Sequence, residues 1–230
     1  MPFRQTPRTI ETTPQPVAGP LAELADVEAT FVQIFALVGE AIAGATHALL
    51  TGDREVAKAL VAQDERVDQL VRHIADLAQR ALAEGLGTTD ERYQLIAVLR
   101  MLPDLERNGD LAEHIARRAA RGLGAEMSPR SRGLIERMGE VAATIWQATA
   151  TAIDQKADSA AAIEDLDDEL DDLHVTLTAE VSSGSMALPV AIELAMVGRF
   201  YERFGDHAVN LARRQVGTAF AGTYPTRPKA

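Results

Sequence analysis

A thirteen-residue segment recurs in this chain of 230, with most of its residues unchanged and at one fixed distance. Glu106 to Arg118 reads ERNGDLAEHIARR, and Glu202 to Arg214 reads ERFGDHAVNLARR. The offset is 96 and eight of the thirteen positions are identical. Unrelated amphipathic helices resemble one another only at their apolar positions. Here the matches include Glu, Arg, Gly and Asp, so the chain is read as two copies of one unit.

The unit is helical. Apolar residues recur at spacings of three and four along Leu24, Val27, Phe31, Ile34, Val38 and Ala41, the stripe of a helix that buries one face. The same period follows from Val56 to Ala81, from Leu95 to Ala116, from Leu134 to Ala152, from Ile163 to Leu177 and from Leu194 to Ala212. Aromatic residues are only 4% of the chain and Ala dominates its apolar share, a composition that favours helix over sheet. Thr51-Gly52-Asp53, the Gly85 to Asp90 stretch and Ser182-Ser183-Gly184 supply stops and new caps. Of ten prolines, five lie in the first twenty residues and two in the last six. The expected fold is all-α: two tandem three-helix bundles, six long antiparallel helices in all. The expected organisation is a flexible tail over residues 1–20, a first repeat over 21–122, a linker over 123–130, a second repeat over 131–217 and a flexible tail over 218–230. Pro103, inside the third helix, is expected to kink it and free a carbonyl one turn back.

Charge and cysteine content exclude several functions. A formal net charge of −11 repels nucleic-acid phosphates. With no cysteine, disulfides and thiolate metal sites are impossible. The N-terminus lacks the apolar core of a signal peptide, and no uncharged apolar run reaches the roughly 18 residues of a bilayer span. A soluble cytoplasmic protein is expected.

Four carboxylate pairs stand four residues apart: Asp64/Asp68, Glu106/Asp110, Asp167/Asp171 and Glu202/Asp206. That spacing puts both members on one helix face, and the pairs flank the packing seams. Helices two and three should run antiparallel, as should five and six, so two pairs can converge in each repeat. Such a face is most simply a solvated one. Its repetition points instead to a hard-cation site, with oxygen donors suited to Mg, Mn, Ca or iron. His114 and Asn210 continue these faces by one turn as possible additional ligands. Gly109 and Gly205 sit on the seams, where they allow close helix packing or backbone clearance beside a metal. Arg107 and Arg203 read as structural ion-pair partners.

The two Glu-Arg-X-Gly-Asp segments (106–110 and 202–206), the Asp-X-X-X-Asp segments before them (64–68 and 167–171) and the duplicated six-helix layout resemble the PhoU family of phosphate-signalling proteins. The resemblance implies two packed three-helix bundles with carboxylate-rich sites for several metal ions. It implies an accessory regulator of the phosphate-specific uptake transporter that keeps a phosphate-responsive histidine kinase silent when phosphate is plentiful. The implied partners are the transporter ATPase and that kinase. A homodimer is expected, with membrane contact only through partners and no catalysis. Asn108, Phe204 and His114 depart from the family pattern.

Two other readings compete. One is a helical scaffold with solvated acidic faces. The other is a carboxylate-bridged di-iron enzyme, but that site needs Glu-X-X-His, and no histidine here has Glu three residues before it. Phosphate loops and nucleophile elbows are absent from the sequence. If phosphate is sensed at this acidic surface, a bound cation must supply the positive charge.

Overall fold

The structure, a computed structural model, describes residues 20–155 and 160–219. The expected tails over 1–20 and 218–230 fall outside these residues, except that helix already includes Pro20 and runs on to Ala219.

Six long helices form where the seams predict them: α1 (Pro20–Thr51), α2 (Arg54–Ala83), α3 (Thr89–Ala120), α5 (Pro129–Gln155), α6 (Ala160–Ser182) and α7 (Leu188–Ala219). A seventh, α4 (Leu123–Glu126), is a single turn inside the stretch expected to be a plain linker. The breaks follow local chemistry. Gly52 is left-handed at φ 76°, and Asp53 accepts from the backbone N–H groups of Glu55 and Val56 at 3.1 and 3.0 Å, capping α2. Gly85 and Gly87 also have positive φ, and Thr88 then forms a capping box with Glu91.

α1, α2 and α3 pack on one another, as do α5, α6 and α7. The two bundles then join through α3 against α7 and α1 against α5. Their cores are continuous. Trp146 of α5 stacks on Phe35 of α1 with ring centroids 4.2 Å apart, and its indole N–H donates to the Phe35 carbonyl at 2.9 Å. Trp146 also meets Phe204 of α7 at 5.2 Å. The hydroxyls of Thr46 and Tyr201 share a hydrogen bond of 2.7 Å, which satisfies both in the interior. Among the described residues, Ala25–Thr51 of α1 is long and apolar enough to cross a bilayer. Its apolar stripe (Ile34, Val38, Ile42, Ala45) is instead fully buried against the other helices.

α3 continues through Pro103. Proline has no N–H to give the Leu99 carbonyl. One residue further on, the Arg100 carbonyl receives the guanidinium of Arg214 from α7. Arg214 also lies 3.1 Å from the carboxylate of Asp104, which is 1% exposed. The expected ion pair of Arg107 is found with this same Asp104, at 3.5 Å.

The two signature segments meet where α3 crosses α7. The Asn108 amide donates to the Phe204 carbonyl at 3.3 Å, and His207 Nδ1–H donates to Asn108 Oδ1 at 3.1 Å. The two residues that depart from the family pattern at the X position are therefore contact partners.

Candidate metal centres

The first centre lies between α2 and α3. Asp64 and Asp68 come from α2 and Asp110 from α3, and one oxygen of each lies within 4.8 Å of the other two. Glu106 is exposed one turn before Asp110, near enough for its charge to raise the Asp110 pKa. Burial is the main cause of that rise, with Asp68 next. Burial likewise lifts Asp64 to about 6, helped by Asp110, Asp68 and Glu113.

His114 stands at the edge of this centre. Its Nδ1 is 2.5 Å from the Asp110 carbonyl. A carbonyl only accepts, so Nδ1 is the donor in this contact and Nε2 points away from it. The ring leans on Phe200 of α7, 5.2 Å between centroids.

The second centre lies between α6 and α7. Burial again leads in raising Asp167, to about 7, followed by the charges of Asp171, Asp206 and Glu202. Asp171 and Glu202 are raised for the same first reason, burial. Asn210 lines a cavity of about 300 Å³ together with Asp167, Asp168, Asp206 and Arg213. The structure thus brings Asp64, Asp68 and Asp110 together with Glu106 acting on Asp110, and it couples Asp167, Asp171, Glu202 and Asp206 through their charges.

Three neighbours escape the spacing argument. Glu113 is 6% exposed and accepts from Arg117 Nε at 2.9 Å, and its charge acts on Asp64 and Asp110. The repeat comparison hides it, because its counterpart is Val209. His174, three residues after Asp171, acts electrostatically on both Asp171 and Glu202. Asp-X-X-His on one helix face is the signal that marks it. Arg199 is paired with Glu202, although its counterpart in the first repeat is Pro103.

The donors fit a hard cation. Asp167 Oδ1 and Glu202 Oε2 are buried with no hydrogen-bond partner, an expensive state for carboxylate oxygens. A metal ion would satisfy both. Gly205 leaves room for this arrangement, since a Cβ there would stand 2.2 Å from Asp167 Oδ1. Gly109 does the same more loosely, 3.3 Å from Val67 and 3.5 Å from Asp64 Oδ1.

The raised carboxylates give apo stability a definite pH dependence. Unfolded aspartates titrate near 3.8, whereas folded Asp64 and Asp167 titrate near 6 and 7. The folded state therefore binds these protons more tightly. Its stability rises as pH falls through 7 and 6 and is lost as pH climbs back. His207 works oppositely, because burial lowers its pKa and costs stability below about 6.5. In chelator the melting temperature is expected to be higher at pH 6 than at pH 8. With saturating Mn²⁺, which needs the carboxylates deprotonated, the order reverses. A thermal melt at both pH values, with and without metal, checks this. Equal melting temperatures throughout would leave the acidic groups as solvated faces.

The PhoU domain matches this chain twice, at residues 31–119 and 135–215. The chain is 30% identical over 210 residues to the phosphate-specific transport system accessory protein PhoU homolog 2 of Mycobacterium tuberculosis, covering 88% of this chain and 97% of that protein. The PhoU homolog of Pseudomonas aeruginosa is 29% identical over 196 residues, covering 83% of this chain and 81% of that one. The crystal structure of PhoU from Pseudomonas aeruginosa superposes with a TM-score of 0.79 at 26% identity, over 86% of this chain and 98% of that one. PhoU from Streptococcus pneumoniae shares the fold with a TM-score of 0.77, over 90% of this chain and all of that one. Each of the two domain matches spans one complete set of four carboxylates, and on this evidence the chain belongs to the PhoU family.

Proposed function

We propose that this protein is a metal-binding regulatory adaptor of phosphate homeostasis. It modulates the phosphate-specific uptake transporter and restrains the two-component response to phosphate starvation. The observation that carries this reading is the coincidence of both PhoU domain matches with both carboxylate centres. Asp64, Asp68, Glu106 and Asp110 hold the first metal site, with His114 at its edge. Asp167, Asp171, Glu202 and Asp206 hold the second, with Asn210 beside it. Mg, Mn or iron suits these donors. Bound metal neutralises two clusters of like charge and fixes the α2/α3 and α6/α7 faces that partners read. The partners are the transporter ATPase and the phosphate-responsive histidine kinase, with the protein a cytoplasmic homodimer. The relatives are named as accessory proteins, in line with a role that needs no catalysis.

The test joins metal content to signalling. Purified wild type should carry metal by elemental analysis, and Glu106→Gln and Glu202→Gln should each lower it. Gly205→Ala should do so without unfolding, because the clashing atom is the free end of Asp167, which rotates out of the centre. In a deletion strain, Asp110→Asn with Asp206→Asn should fail to restore repression of starvation genes. Full metal content and full repression in that double variant would favour the solvated scaffold.

A further inference from the structure

We propose that the two centres are unequal, and that Arg199 is a tethered cation which competes with metal for Glu202 and so makes the second centre the weaker one. This rests on the metal-binding reading above and concerns the order in which the sites fill.

Two independent observations support it. The first is geometric. Among the described residues, only Asp64, Asp68 and Asp110 bring three carboxylate oxygens within 4.8 Å of one another. The first centre is preorganised, whereas the second must draw its carboxylates together, and that rearrangement weakens binding.

The second is electrostatic. The Arg199 guanidinium contacts Glu202 Oε1 directly, on a carboxylate side chain only 13% exposed. One oxygen of this carboxylate is held by an internal cation, and the other is buried without a hydrogen-bond partner. At the offset of 96, Arg199 corresponds to Pro103, which has no charge. Among the described residues Glu106 has no ion pair, so the first centre lacks this competitor.

The first centre does have an arginine nearby, Arg72, but it is a looser partner. It lies 3.6 Å from Asp68, beyond hydrogen-bond distance, and both groups are substantially exposed. Solvent screens such a pair and leaves it weak. Arg117 is engaged by Glu113 rather than by the four candidate ligands. Arg199 itself is 44% exposed, so it can swing into water when metal arrives. It is a gate that opens at the cost of one ion pair.

The experiment is a Mn²⁺ titration of the chelator-stripped full-length protein, read from the EPR signal of free Mn²⁺. Wild type should show two classes of site separated by about tenfold or more in Kd. Asp110→Asn should remove the tighter class and Asp206→Asn the weaker. Arg199→Met should tighten the weaker class by about tenfold and leave the tighter one unchanged. Arg199→Lys keeps the charge and should keep the weaker class near its wild-type affinity. A single class in wild type, or no response to Arg199→Met, would overturn the proposal while leaving metal binding intact. If no Mn²⁺ binds to wild type at all, the metal-binding reading falls first and takes this one with it.

Discussion

Replacing Gly124 by alanine is expected to destabilise the protein by about 3 kcal/mol, the upper end of the usual cost of overpacking. The added Cβ would stand 2.0 Å from the Leu49 carbonyl oxygen and 3.1 Å from its carbon. Those atoms are backbone in the last turns of α1, so no side-chain rotation relieves the contact. The junction is also tied on its other side. Arg132 of α5 donates to the Gly124 carbonyl at 2.6 Å and also to the Leu50 carbonyl. It thereby satisfies the Leu50 carbonyl at the C-terminal end of α1, which has no partner within the helix, and ties it to α4. Shifting α4 away from α1 pulls on both bonds. For a chain of this length the melting temperature should fall by roughly 6–12 °C. Gly133→Ala is the control, because a Cβ there meets nothing within 4 Å.

Arg214→Met is expected to cost about 2 kcal/mol, since it takes the closer of two cations from a buried carboxylate. Asp104 is 1% exposed and is held by Arg214 at 3.1 Å and Arg107 at 3.5 Å. Arg107 remains in the variant, but it is largely exposed and cannot replace both contacts. The Arg100 carbonyl beside Pro103 also loses its donor. Adding Asp104→Leu to Arg214→Met should recover most of the loss, because the pair as a whole contributes little beyond apolar packing. Urea unfolding of the two single variants and the double variant closes the cycle. A double variant as unstable as Arg214→Met alone would place the loss at the Arg100 carbonyl instead.

Much of this architecture is legible in the sequence. The 3,4 seams locate six long helices because burial of one face sets both the period and the packing. The offset of 96 locates the duplication because polar identities do not recur by chance. The approach of Asp110 to Asp64 and Asp68 follows because α2 and α3 are neighbours in space as well as in sequence. What escaped detection comes from contacts between the repeats or from differences between them. Asn108 and Phe204 look like departures from a pattern when read along the chain, and they become partners only when α3 crosses α7. Glu113 is invisible to a comparison that looks for the same residue in both repeats, and so is Arg199. The α4 turn carries too few residues for any period to emerge, and its position is set by Gly124 against the α1 backbone and by Arg132 of α5.

The contact between Asn108 and Phe204 also bears on how such a chain can vary. These are equivalent positions in the two halves, and they lie where the halves meet. In a symmetric pair of identical single-repeat molecules, that position would face its own copy: amide against amide, or ring against ring. An amide donating to the backbone beside a phenylalanine, with a histidine on its other side, is open only to halves that are free to differ. Joining the halves in one chain removes the symmetry that a pair of identical molecules imposes. Each half can then specialise against the other without having to fit itself.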